Sequence, residues 1–383
     1  MRIIADENIV LVEEAFASLG EVTTMHGRSI NAASVRDADL LLVRSITKVN
    51  AELLDGSAVR FVGSPTIGED HIDKLYLESR GIGFASAPGS NANSVAEYVV
   101  GALLHLAEKH EFALPSKRLG IVGHGNVGKR VEMKARALGM ECVLNDPPLA
   151  RQSGSAQYDD LDAVRECDII TFHVPLTKEG PDATDHLVNT DFLASCTTGC
   201  IILNTSRGDV IDGAALNHAR GSGKIGAVVL DVWENEPVID TELLANCAIS
   251  TSHIAGYSYD GKVAGTRMIY EAVSKHFETA PTWDTAPHLA PEVTAPLDVS
   301  GIADTNEALR AAVRSVYDVL SDDKPMRELL TMQDADRGPH FDALRRDYPR
   351  RRELHTATVS VSDSQTKVAR ILSDLGFKVE KAV

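Results

Sequence analysis

Six residues, Gly123-His124-Gly125-Asn126-Val127-Gly128, constrain this chain more than any other feature. They stand between an apolar run, Leu119-Gly120-Ile121-Val122, and a segment of helical periodicity over 129–138. The spacing is G-x-G-x-x-G in a strand, turn and helix setting. The first glycine permits the tight turn, the second lets the backbone approach a pyrophosphate, and the third allows helix and strand to pack closely. The helix start at Asn126, Val127 and Gly128 then offers unpaired N–H groups to the anion. A glycine pattern alone can be a structural turn; the flanking strand and helix favour a dinucleotide. At the end of the next strand lies Asp146, 18 residues after Gly128. A carboxylate there can accept hydrogen bonds from the adenosine ribose and would repel a 2′-phosphate, so NAD is expected over NADP. Asp146-Pro147-Pro148 also reads as a plain strand end.

Around this loop, short apolar runs alternate with helical patterns through about the first 280 residues, the signature of βαβ units and a parallel sheet. The expected class is α/β, with two Rossmann-like doubly wound parallel-sheet domains and a small α+β C-terminal domain. Strands are expected at 2–5, 40–43, 60–63 and 83–85, with helices at 10–19 and 71–79. Ser94 and Glu97 have capping-box spacing ahead of a long apolar helix reaching about Lys109, a candidate hinge. A second set of strands follows at 119–122, 142–145, 169–172, 201–203, 228–232 and 248–251. The proline-rich stretch 280–296 reads as a linker; beyond it, 307–320, 341–346 and 366–375 read as helices and 356–361 as a strand. The expected domains are 1–93 with 257–285 for substrate, 94–256 for NAD, and 286–383 as a tail.

Composition narrows the function classes. Lys plus Arg number 38 against 55 Asp plus Glu, a net charge of −17, which repels nucleic acid at long range. The length of 383 residues suggests two or three domains, and 44% hydrophobic residues can furnish their cores. No apolar run approaches the roughly 20 residues that cross a bilayer, and the opening turns acidic where a secretory signal would be apolar, so a cytoplasmic protein without a membrane partner is expected. The five cysteines include no CxxC pair and read as reduced thiols, with no metal site.

A dinucleotide site does not define a substrate, so catalytic groups are sought at the other strand ends, where open α/β sheets place their ligands. Three stand there. Arg207 lies in Asn204-Thr205-Ser206-Arg207-Gly208, and its guanidinium fork suits a carboxylate and a neighbouring oxygen. Glu236 lies in Asp231-Val232-Trp233-Glu234-Asn235-Glu236-Pro237, and His253 precedes Ile254-Ala255-Gly256. Each type is commonly a solvated or satisfied group, but three at successive strand ends on one side of a sheet carry more weight.

With the glycine loop, these residues give the chain a pattern that resembles the D-isomer-specific 2-hydroxyacid dehydrogenases over about residues 1–280. The resemblance implies that His253 takes the proton of a 2-hydroxy acid as hydride leaves C2. It also implies that Glu236 orients the imidazole and stabilises its protonated form, and that Arg207 holds the carboxylate. It further implies NAD contacts at Thr205, Ser206, Asp231 and Gly256, and at Val174, where the family has threonine. Asp231 could instead be a strand-end cap. The opening Ile3-Ile4-Ala5-Asp6-Glu7-Asn8, the Val43-Arg44-Ser45 corner and a C-terminal extension of about 95 residues resemble a branch that acts on a phosphorylated 2-hydroxy acid in pyridoxal 5′-phosphate biosynthesis and dimerises through such an extension. That likeness implies a homodimer, with Ser45, Thr66 and Tyr257 on the substrate; a phosphorylated substrate needs further anion contacts, for which Arg44, Ser45 and Thr66 are the candidates. Arg44 could equally be a surface charge, the hydroxyls helix caps, and Tyr257 the cover of a domain seam. Pro65 stands where the family has a small residue. In the tail, Arg345, Arg346, Arg350, Arg351 and Arg352 form a basic cluster, and one of them, from a partner subunit, is a further candidate for the phosphate. A closing motion about the segments near Asn93 and Gly256 is expected. The same catalytic set would serve D-3-phosphoglycerate or an unphosphorylated 2-hydroxy acid. A non-catalytic NAD(H)-sensing protein is the alternative from another class, and the intact Arg207, Glu236 and His253 argue against it.

Overall fold

The computed structural model describes residues 1–290 and 295–382, which fall into two compact units. The first comprises Met1–Asn91 with Tyr257–Pro291. Its sheet contains β1 (Arg2–Asp6), β2 (Glu21–Met25), β3 (Leu40–Leu42), β4 (Phe61–Ser64) and β5 (Gly83–Ser86), all parallel, in the order β2-β1-β3-β4-β5. Strand order reverses beside β1, so the ligand crevice of such a sheet opens at the C-terminal ends of β1 and β3. Alternation along the strands feeds two cores. Ile3, Ala5, Leu40, Leu42 and Phe61 pack with Phe16, Ile269 and Tyr270, while Leu41, Val43 and Val62 pack with Val35, Leu54 and Leu77. Strand β2 was not expected from the sequence. It lies at the sheet edge, and its Glu21-Val22-Thr23-Thr24-Met25 has no fully buried residue, hence no apolar run to mark it.

The helix Tyr259–His276 returns to this unit and lies over β4. A Cβ on Gly63 would collide with Ile269, and one on Gly265 would come within 2.8 Å of the Pro65 carbonyl oxygen. Part of the stretch read as a linker is packed here. The backbone N–H groups of Thr282 and Trp283 donate to the Tyr270 hydroxyl at 2.8 and 3.3 Å, and the Trp283 indole donates to Glu14 at 2.9 Å. A tryptophan ring and a satisfied backbone override the proline content. Residues 291–294 of that stretch lie outside the described residues.

The second unit comprises Ala92–Gly256 with Glu292–Val383. Its main sheet contains β6 (Arg118–Val122), β7 (Glu141–Asn145), β8 (Ile169–Phe172), β9 (Cys200–Asn204), β10 (Ile225–Leu230) and β11 (Ile249–Ser250). All pairs are parallel, in the order β11-β10-β9-β8-β6-β7. The order reverses at β6, and the glycine loop leaves the end of that strand. The tail adds a small parallel sheet of β12 (Leu297–Asp298), β13 (Thr358–Val361) and β14 (Lys378–Lys381), with β13 in the middle.

The tail, expected as a third domain, is part of this compact unit. Met326, Leu329 and Phe341 share one apolar cluster with Phe192, Leu230 and Trp233. Asp323 accepts from the Ser250 N–H and hydroxyl at 2.7 and 2.8 Å. The long helix spans Ala92–Lys109, so Ser94 lies inside its first turn and is not its N-cap. The Ser94 hydroxyl instead donates to the Ala255 carbonyl at 2.9 Å. Glu97 accepts from Asn93 Nδ2 at 2.8 Å and from the Leu354 N–H at 3.1 Å.

Arg351 is buried, with Nη1 on the Ala255 carbonyl (3.1 Å), Nη2 on the Ser94 carbonyl (2.8 Å) and its guanidinium 3.5 Å from the Tyr317 ring centre. One guanidinium thus clips together the two ends of the 92–256 segment. Of the five clustered arginines this one serves its own chain's fold, and Arg346 pairs with Asp347 at the surface. Replacing Arg351 by Met leaves two buried carbonyls short of a charged donor, and should lower the unfolding free energy by about 2–4 kcal/mol in a urea titration. Arg346→Ala should leave the midpoint unmoved.

Candidate active site

The glycine loop of the second unit is shaped by contacts at two of its three glycines and left open at the other. Gly123 has φ +89°, and a Cβ there would lie 2.5 Å from the His173 carbonyl oxygen and 2.9 Å from Val174. A Cβ on Gly128 would collide with the carbonyl of Gly123, so the helix can come this close to the strand end only because residue 128 is glycine. A Cβ on Gly125 would meet nothing within 4 Å. Gly125 also caps the helix Asn126–Ala137 without any side-chain hydrogen bond. An open backbone at an uncapped helix start is what a pyrophosphate needs, so these residues fit a bound dinucleotide.

Asp146 accepts from the His124 N–H at 2.8 Å and from the Leu149 N–H at 3.0 Å, so it fixes the loop and caps the helix Pro147–Ser153 together. Val174 packs against the main core. Thr205 bonds His173 Nδ1 at 3.1 Å, and the other ring nitrogen meets Thr171 at 3.0 Å. Burial pushes the His173 pKa down to about 3, so this imidazole is neutral.

The Arg207 turn is built by Asn204, whose Oδ1 accepts from the Ser206 N–H and hydroxyl while its Nδ2 donates to the Arg207 carbonyl at 2.8 Å. Arg207 Nη1 donates to the Ser206 carbonyl at 2.7 Å. A Cβ on Gly208 would collide with the Trp233 backbone, so the turn carrying Arg207 lies directly against the loop carrying Glu236.

Glu236 and His253 are paired. Glu236 Oε2 meets His253 Nδ1 at 2.9 Å, and Oε1 accepts from the Trp233 N–H at 2.9 Å. Burial pushes the Glu236 carboxyl up, but the His253 charge and hydrogen bond, the Trp233 N–H and the charge of Arg345 outweigh it and hold the carboxyl below its ordinary value. An ionised carboxylate can only accept, so Nδ1 carries the proton and Nε2 is left to exchange one. His253 has φ +60°, a left-handed backbone that a neighbour must hold. That neighbour is Asp231. Its carbonyl accepts from the His253 N–H at 2.7 Å, and its carboxylate accepts from Thr251 Oγ1 (2.6 Å), Ile254 N–H (2.8 Å) and Ala255 N–H (3.0 Å). Burial pushes the Asp231 carboxyl up, against those donors and the nearby His253.

In the first unit, Arg44 and Ser45 follow β3 and Thr66 follows β4. Ser45 is exposed, while Thr66 bonds Ser64 at 2.8 Å and the Gly68 carbonyl at 3.2 Å. Arg44 Nη2 lies 3.5 Å from the Tyr257 hydroxyl, so two of the substrate candidates are neighbours. Sequence reasoning missed Lys262, whose Nζ is 4.5 Å from the centre of the same ring, and the support of the Glu236 loop by the tail. Pro237 and Val238 pack against Gly338, and Arg345 adds its charge near Glu236. Only the helical spacing of Lys262 and Gly265 hinted at the former. Among the described residues no cluster of three or more His, Cys, Asp or Glu could hold a metal, and no helix is long and apolar enough to cross a membrane.

Two substitutions separate the roles of the glycines. Gly125→Ala should leave Tm unchanged yet weaken NAD binding about tenfold or more by fluorescence titration, roughly 1.4 kcal/mol. Gly128→Ala should lower Tm as well, because its methyl has no room.

Residues 101–255 match the family model for the D-isomer specific 2-hydroxyacid dehydrogenase, NAD binding domain, and residues 289–376 match a domain of unknown function. The chain is 44% identical over 378 residues to an erythronate-4-phosphate dehydrogenase of Cronobacter sakazakii, covering 98% of both chains. It is 44% identical to the one of Edwardsiella ictaluri over the full length of both, and 46% identical to that of Salinibacter ruber over 94% of both. Among solved structures, it is similar to a D-lactate dehydrogenase of Aquifex aeolicus complexed with NAD and lactic acid, at 25% identity and TM-score 0.60 over 73% of this chain and 96% of that one. A 3-phosphoglycerate dehydrogenase of Entamoeba histolytica with NAD+ bound gives 25% identity and TM-score 0.63 over 73% and 95%. The protein is an NAD-dependent oxidoreductase. With the paired Glu236 and His253, the Arg207 turn and the open glycine loop on one sheet, the chain belongs to the erythronate-4-phosphate dehydrogenases, within the D-isomer specific 2-hydroxyacid dehydrogenase family.

Proposed function

We propose that the chain oxidises 4-phospho-D-erythronate at C2 to (R)-3-hydroxy-2-oxo-4-phosphooxybutanoate, a step of pyridoxal 5′-phosphate biosynthesis. The observation that carries the reading is the 2.9 Å contact between Glu236 and His253 Nδ1, which leaves Nε2 as a base. NAD, when bound at the Gly123–Gly128 turn with Asp146 at its ribose, supplies the hydride acceptor. His253 Nε2 takes the proton of the C2 hydroxyl as hydride leaves the same carbon. Glu236 keeps the ring oriented and offsets the charge it gains. Arg207 binds the substrate carboxylate and polarises the developing carbonyl, and its permanent charge needs no proton transfer to act. The turn residues Thr205 and Ser206, together with Val174 and Gly256, are assigned to the cofactor. The hydroxyls of Ser45 and Thr66, and Tyr257, are assigned to the substrate. Asp231 serves the cofactor end through the loop that it holds. The tail is assigned to a homodimer, and the protein to the cytoplasm.

The test is NADH formation at 340 nm with 4-phospho-D-erythronate, D-3-phosphoglycerate and D-lactate offered separately, and a 2-oxo acid added in parallel to reoxidise NADH that stays bound. Preference for phosphoerythronate is expected, and equal or better turnover of another acid would overturn it. His253→Ala should lower kcat by about 10³-fold and Glu236→Gln by about 10²-fold, with NAD affinity preserved.

The lowered pKa of Glu236 has a defined consequence in acid. A carboxyl favoured in its ionised form by the fold contributes stability above its ordinary value of 4.5, and that contribution is lost as pH falls through the lower folded value. Wild type and Glu236→Gln should therefore converge in Tm as pH is taken below about 4.5, and a gap that stays constant would contradict the ionised pair.

A further inference from the structure

The helix Tyr259–His276 meets β4 along one face. Ile269 lies over Gly63 and Gly265 over the carbonyl of Pro65, so residues four apart on the helix step along the strand towards its C-terminal end. Lys262, three residues before Gly265, continues that face past the strand end and over the loop. Its Nζ lies 4.5 Å from the centre of the Tyr257 ring, and the Arg44 guanidinium lies 5.9 Å from the same centre with Nη2 at 3.5 Å from the hydroxyl. Burial and then the charge of Arg44 push the Lys262 pKa down to about 8. Two cations are therefore gathered at one aromatic ring beside the C-terminal strand ends, where a doubly wound sheet takes its ligand. A dianion placed there meets two positive charges at once. Neither cation belongs to the Glu236 and His253 pair, so their chemistry is that of binding.

We propose that Lys262 and Arg44, gathered at Tyr257, form the subsite for the phosphate monoester of the substrate. Arg44 offers a planar fork to two phosphate oxygens and Lys262 a compact charge to the third, the division of labour that their side chains favour. Tyr257 supplies an apolar wall and one hydroxyl. The structure also gives Pro65 a part: its carbonyl faces Gly265, which sets the distance between the helix and the loop and hence the height of Lys262 above it.

The proposal rests on the phosphorylated-substrate reading above, and the experiment separates the two. Full-length wild type, Lys262→Met and Lys262→Arg are assayed at saturating NAD with 4-phospho-D-erythronate and with D-erythronate, and inorganic phosphate is titrated as a competitive inhibitor. In Lys262→Met the ratio of kcat/KM for the phosphorylated over the unphosphorylated acid should fall about 10- to 100-fold, as expected for loss of one charge-assisted contact. The inhibition constant of phosphate should rise about tenfold, and Lys262→Arg should recover most of both. A ratio or an inhibition constant that stays within twofold of wild type overturns the subsite. A wild type that neither prefers the phosphorylated acid nor is inhibited by phosphate overturns the substrate reading and the subsite with it. Binding of NAD, followed by fluorescence, reports whether the variants are folded.

Discussion

Asp231 directly follows β10 with its carboxylate buried, and both oxygens are taken up by Thr251, Ile254 and Ala255. A buried carboxylate satisfied by three donors tolerates few alternative backbones, because each lost donor leaves a charge uncompensated in a low-dielectric interior. The turn from Thr251 to Ala255 is therefore held in one shape, and His253 sits in it at a positive φ that it would not otherwise keep. The direction of the imidazole follows from that shape. So does the meeting with Glu236, which is itself fixed by the Trp233 N–H, and the Trp233 indole in turn donates to the Thr251 carbonyl at 2.9 Å. The Glu236 and His253 pair thus sits on two loops joined by hydrogen bonds that converge on Thr251 and the buried Asp231.

The tail reinforces the same region from behind. Gly338 packs on Pro237 and Val238, Arg345 lends its charge to Glu236, and Arg351 joins Ser94 to Ala255. Glu97 lies beneath this clip, where burial pushes its carboxyl up to about 8 although Lys134 and Arg351 are close. Polar groups sunk this deeply are costly unless each has a fixed partner, and here most of the partners come from the other end of the chain. The C-terminal residues complete the nucleotide-binding unit.

What could be read from the sequence was what is local. The glycine loop is legible because its spacing and its flanking strand and helix are contiguous, although only Gly128 is constrained from within the loop and Gly123 answers to His173 on another strand end; Arg207, Glu236 and His253 stand out as candidates because they follow apolar strands closely. Ser94 and Glu97 misled because their real partners, Ala255 and Leu354, are 161 and 257 residues distant. Strand β2 was invisible because a half-exposed edge needs no apolar run. Lys262 was passed over because its place depends on how the helix Tyr259–His276 is rotated over β4, which Gly63 and Gly265 decide by what they lack. The stretch around Trp283 was read from its prolines, whereas its packing is decided by one ring and the Tyr270 hydroxyl.

Lys134 bears on how this module can be passed between proteins. It lies on the helix that begins at the glycine loop, is only 2% exposed, and donates from Nζ to the carbonyl of Leu375, with Glu97 at 3.7 Å. Here the helix has been committed to a partner 241 residues downstream. Excision of the 92–256 segment as a portable domain would strip an ammonium of its acceptor and uncover the apolar face beside it. A shortened form would therefore need position 134 changed together with the loss of the tail.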